Sequence, residues 1–180
     1  MPFYDYDFSK LQISINYIFS STINLECKEE HKSTKKHERI IKKKYFPSVP
    51  ILNRGFGGSS LLDLIRYKEE VLFSYNPKQI VLYCGENDFA ANDTVSVETE
   101  LTRFKMLFAI VRSRYKNIPF AYVSMKPSPS RQHLMPKFDA ANNQIKIFLS
   151  KYRKTAFIDV YHKMLNPDGS PIAEIFGPDK

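Results

Sequence analysis

Long apolar runs are missing from this chain: none approaches the roughly 20 residues that a membrane-spanning helix needs. A basic leader is missing too, since the opening "MPFYDYDF" is acidic; no secretory signal is expected, and a cytoplasmic location is. Cysteine is scarce. Cys27 and Cys84 are the only two, which allows one bridge but is read more simply as two lone thiols in a reducing compartment. Close Cys/His ligand spacing is also absent, which argues against a metal centre. Glycine is thinly spread, with six among 180 residues. Three of the six fall in one stretch, "NRGFGGSSLLDLI" (53–65), just ahead of a helix-like apolar run.

What is present fits one packed domain. The apolar share is 43% and the aromatic share 14%, enough for a sizeable core and too much for a disordered chain. Half of the net charge of +8 sits in residues 24–44, which hold eight Lys/Arg and four Glu. No aromatic residue interleaves those lysines, so the segment reads as a solvated, mixed-charge surface rather than a nucleic-acid patch.

From residue 48 onward apolar strand-like runs alternate with helical spacing. "VPILN" (49–53), "IVLYC" (80–84), "IPFAYVS" (118–124) and "AFIDV" (156–160) read as buried strands. Helices are expected over about 59–74, 97–116 and 137–152, the first opened by a Ser60/Asp63 capping box. Near-continuous apolar strands separated by helices imply a parallel α/β sheet with helices on both faces. Residues 1–47 are atypical: a strand is plausible at "LQISINYIF" (11–19), and the charged run follows it. The regular domain is assigned to 48–180.

In open parallel sheets ligands bind beyond the carboxyl ends of the strands. "RGFGGSS", "GENDFA" and "KPSPSRQH" all fall at that edge. The first is neither a dinucleotide fingerprint nor a P-loop, so a nucleotide cofactor is not indicated. Acyl transfer needs other parts: a nucleophile, a base and donors for an oxyanion. A main-chain N–H at Gly58 and the side-chain amide of Asn87 supply donors of the right kind. Glu86 and Asp88 flank Asn87 and are read as structural hydrogen-bonders before any Mg²⁺ site.

"NRGFGGSS" followed about thirty residues later by "YCGENDFA" resembles the second and third conserved blocks of the SGNH hydrolases, or GDSL esterases/lipases. "KPSPSRQHLMPKFDAANNQI" and "FIDVYHKMLNPDGSP" are similar to their platelet-activating-factor-acetylhydrolase-like branch, so the resemblance spans about 45–180. It implies a three-layer, flavodoxin-like fold and hydrolysis of a small-molecule carboxylic ester by a serine, with no cofactor and no metal. It assigns the oxyanion hole to Gly58 and Asn87. Through "YIFSSTI" (17–23) it makes Ser21 the nucleophile, with Phe19 standing where the family has glycine. Asp179 fits the carboxylate of the family's Asp-x-x-His block, whose histidine would follow Lys180; the chain is therefore expected to continue. Gly57, Ser59, Glu86, Asp88 and His133 are expected to line the substrate pocket, and His162 is read as an ordinary residue of a helical turn. Two other functions stay open: a catalytically inactive binding module of this fold, and a basic surface binder of nucleic acid or membrane.

Overall fold

The apolar runs form a four-stranded, all-parallel sheet in the order β1-β2-β3-β4. These strands are β1 (Ile15–Phe19), β2 (Gln79–Tyr83), β3 (Phe120–Val123) and β4 (Thr155–Ile158). The computed structural model describes residues 52 and 54–176, together with the backbone of 15–19. β1 runs in register with β2 from Ile15 opposite Gln79 to Phe19 opposite Tyr83, so the atypical amino-terminal segment contributes a strand to the same sheet. β2 is buried along its whole length, as expected of a central parallel strand covered on both faces. Ile80, Leu82 and Cys84 join the main core, while Val81 and Tyr83 are buried on the opposite side.

The helices are α1 (Leu61–Arg66), α2 (Glu86–Ala91), α3 (Val97–Arg114) and α4 (Met135–Leu149). Side chains of α1, α3 and α4 share one core with β2 and β3. Its centre is aromatic: Phe104 meets Tyr122 edge-on at 5.1 Å, and Phe108 meets Phe120 at 5.3 Å. Such edge-to-face pairs suit the ring quadrupole.

Several boundaries differ from the sequence expectation. The helix expected over 59–74 is α-helical only to Arg66 and resumes as a π-helical turn at Glu69–Phe73. Residues 66–70 across this change are not buried in the core. α2 was not foreseen: six residues carry too little periodicity to be seen in sequence. Of the strand expected at 49–53, only Leu52 is described, and it is not in a strand. Residues 11–14 and the charged run at 24–44 lie outside the described residues.

The Ser60/Asp63 capping box forms as expected. Ser60 Oγ accepts from Asp63 N at 3.2 Å, and Ser60 N donates to Asp63 Oδ2 at 2.9 Å. Ser60→Ala should therefore lower the unfolding free energy by about 1 kcal/mol, read as a lower urea midpoint with an unchanged slope.

Candidate active site

Both glycine-bearing motifs lie past the carboxyl ends of strands or beside them, and two side chains of α2 tie them together. Residues Phe56 to Ser59 make a tight turn, closed by Ser59 N donating to Phe56 O at 3.4 Å. Gly58 takes the third position with φ +72, a backbone state that favours glycine at that place in a turn. It is exposed, and a Cβ there would meet nothing within 4 Å. Its N–H has no acceptor among the described residues. Gly57 and Ser59 are buried on either side of it.

Opposite this turn, β2 ends and Gly85 caps α2 with φ +129. Here the glycine is needed twice over. A Cβ would stand 2.7 Å from Glu100 Oε1 and 3.0 Å from Met125 Sδ. Two of the next three residues, Asn87 and Asp88, reach the glycine turn. Asn87 Nδ2 donates to Ser59 O at 3.1 Å, and Asp88 Oδ2 accepts from Leu61 N at 2.9 Å. Cys84 Sγ also approaches Ser59 O, at 3.6 Å. Ser59 O is thus a shared anchor, one residue from the Gly58 N–H.

The loop after β3 closes the third side. Asn142 on α4 accepts from Met125 N and donates to Met125 O, both at 2.9 Å. Buried Ser124 Oγ accepts from Val160 N at 2.9 Å and Tyr161 N at 3.0 Å. These bonds pin the segments that follow β3 and β4. From the pinned loop, Arg131 reaches back: its two terminal nitrogens are each 3.3 Å from Asn87 Oδ1.

Burial dominates the electrostatics. Glu86 is raised above the ordinary carboxylate range by burial, against the Tyr83 hydroxyl, the charges of Lys126 and Arg131, and the Lys126 N–H. Asp88 is also raised by burial, although Leu61 N–H and Arg103 pull the other way; Arg103 lies 2.7 Å from its Oδ1. Burial pushes the Cys84 thiol up as well, which makes it an inert packing residue rather than a nucleophile. Below Gly85, Glu100 is fully buried and neither of its oxygens has a hydrogen-bond partner. Burial and the neighbouring Asp88 charge raise it to about 9.

The expected site residues are therefore placed as follows. Gly58 and Asn87 come together, with Gly57 and Ser59 forming the buried shoulders of the turn. Asp88 is spent on holding Leu61 and Arg103, and Glu86 is buried against Tyr83. His133 is exposed in the 3-10 turn Pro129–Leu134. Ser21, Cys27 and Asp179 lie outside the described residues. Among the described residues, no three His, Cys, Asp or Glu side chains are grouped to hold a metal ion, and no helix is long and apolar enough to cross a membrane.

Sequence reasoning passed over Arg131 and Glu100, and took His162 for an ordinary turn residue. Arg131 sits two positions before His133 in a loop already marked as part of the site edge. Glu100 lies four residues before Phe104, on the same helical stripe. His162 follows Asp159 by three residues, which is the Asp-x-x-His spacing, and the two are joined: Nδ1 of His162 is 2.8 Å from Asp159 Oδ2. That pair is exposed after β4, with Asp139 Oδ1 at 3.6 Å from the other ring nitrogen.

Neither a family model nor a curated protein sequence matches the chain. Solved structures do. A Streptococcus pneumonia protein described as a platelet activating factor superposes with a TM-score of 0.72 at 18% identity, covering 95% of this chain and 77% of that one. A GDSL-like lipase from Bacteroides thetaiotaomicron gives 0.65 at 16% identity, covering 79% and 72%. A family 3 carbohydrate esterase from Clostridium thermocellum gives 0.59 at 14% identity, covering 89% of this chain and 87% of that one. With the parallel sheet and the two glycine motifs at its carboxyl edge, this similarity establishes that the chain has the SGNH/GDSL hydrolase fold.

Proposed function

We infer that the protein is a serine hydrolase of small-molecule carboxylic esters, with Gly58 N–H and the Asn87 amide holding the oxyanion of a tetrahedral intermediate. The observation that carries this reading is the 3.1 Å bond from Asn87 Nδ2 to Ser59 O. It holds an amide donor and an exposed glycine turn at one place on the sheet edge. Preorganised N–H donors of this kind stabilise charge that appears only as the acyl carbon is attacked. The fold adds support, since its solved relatives include a lipase and a carbohydrate esterase.

In this mechanism Ser21, two residues beyond β1, attacks the ester carbonyl. The alkoxide oxygen of the tetrahedral intermediate is held by the donors above, the alcohol leaves, and water releases the acid from the acyl-enzyme. A general base takes the serine proton and returns it to the departing alcohol, and Asp179 is assigned to orient that base. The reaction calls on no cofactor in this scheme, because the donors and the serine supply the chemistry.

Turnover of a short-chain nitrophenyl ester tests the reading. The protein should release nitrophenol with a burst when acylation is faster than deacylation, and Ser21→Ala should abolish both burst and turnover. Ester binding without turnover by the unmodified protein would reduce it to a binding module of the same fold.

A further inference from the structure

Arg131 belongs to neither glycine motif, yet it is the side chain that meets Asn87 from the side opposite Ser59. Its backbone departs from the surrounding 3-10 turn, with φ −121 and ψ 30, and its N–H donates to Ser128 O at 3.0 Å. That kink accompanies a guanidinium aimed at the start of α2, where both terminal nitrogens stand 3.3 Å from Asn87 Oδ1. Nδ2 of the same amide donates to Ser59 O.

An amide has one donor end and one acceptor end, whereas guanidinium only donates and a backbone carbonyl only accepts. Only one orientation satisfies both neighbours. Rotating the amide by half a turn would set Oδ1 against Ser59 O and the NH₂ group against a cation. The positive charge at Oδ1 has a second effect. It draws electron density through the conjugated amide and leaves the Nδ2 hydrogens more positive, as hydrogen-bonded chains polarise one another. A donor polarised in this way gains more from a full negative charge than from a neutral ester oxygen.

We propose that Arg131 is a positioning residue that orients and polarises the Asn87 amide as an oxyanion donor. The proposal rests on the hydrolase reading for its kinetic consequences, but its structural content concerns only the Arg131–Asn87–Ser59 chain of hydrogen bonds. Because the effect grows with charge on the oxyanion, it acts on kcat more than on KM.

The experiment compares Arg131→Ala and Arg131→Lys, each alone and with Asn87→Ala, using nitrophenyl ester kinetics and the ¹⁵N–¹H signals of the Asn87 side-chain amide. Arg131→Ala is expected to lower kcat on the order of 10- to 100-fold, with KM little changed and the melting temperature close to that of the parent. Arg131→Lys should recover part of the loss, and Arg131→Ala should add almost nothing once Asn87 is already alanine. The Asn87 NH₂ signals should move upfield in Arg131→Ala and less so in Arg131→Lys. Unchanged kcat in Arg131→Ala, full additivity with Asn87→Ala, or unmoved amide signals would overturn the proposal. Should the unmodified protein hydrolyse no ester, the hydrolase reading fails, and the amide signals alone then decide the role of Arg131.

Discussion

Glu100→Gln should stabilise the protein at alkaline pH, by about 3–6 kcal/mol at pH 8. Glu100 is fully buried, and neither of its oxygens has a partner. Burial comes first and the Asp88 charge second in raising its carboxyl from 4.5 to about 9. The native protein therefore keeps this proton through neutral pH, while the unfolded chain releases it near 4.5. Stability falls wherever the folded state binds more protons than the unfolded one, by about 1.4 kcal/mol per pH unit for one group. This contribution is fully present below pH 4.5 and is lost as pH rises toward 9. Glutamine keeps the shape and cannot ionise, so it removes that slope. Urea unfolding of both proteins from pH 5 to pH 9 measures it. Glu86 and Asp88 add slopes of the same sign, but they are common to both proteins and cancel in the difference. Parallel profiles across the window would mean that Glu100 is ionised in the native state.

The second large effect concerns Asn87. Its replacement by alanine is expected to lower ester turnover roughly 10²- to 10³-fold, the usual result of deleting one oxyanion donor. Alanine also deletes the bond to Ser59 O and the acceptor for Arg131, so a loose glycine turn is a competing cause. The backbone amide signal of Gly58 reports the turn directly and separates the two, and Asn87→Asp is a second variant that removes the donor. Aspartate is nearly isosteric and still accepts from Arg131, but it has no N–H to donate, and its carboxylate repels both Ser59 O and a nascent oxyanion. Turnover should fall at least as far as in the alanine variant, with KM changing much less than kcat. A variant that retained turnover in either case would remove Asn87 from the oxyanion hole.

The two motifs that frame this site could be read from the linear chain because each is local. Three glycines before an apolar helix mark a turn, and "GEND" after an apolar strand marks its carboxyl end. The Ser60/Asp63 cap is local for the same reason, since both partners lie within one helical turn. Glu100 was not legible. A carboxylate on a helix defaults to solvent in a sequence reading, and only the packing of α3 against β2 and Tyr122 shows that it faces inward. Arg131 was hidden by distance, because 44 residues separate it from Asn87. The Asp159–His162 spacing is local and legible, but only the folded chain shows that the two side chains meet.

Periodicity and turn chemistry in the chain were enough to settle the parallel α/β class, the strands β2 to β4 and the loops that follow them. Those features depend on neighbours a few residues away, which every chain carries in its own order. Which groups meet at the sheet edge was decided by tertiary structure alone: Asn87 on Ser59, Arg131 on Asn87, and a protonated Glu100 beneath Gly85. Hydrogen bonds and proton affinities depend on ångström separations and on how much water is excluded, and both arise only when distant segments pack.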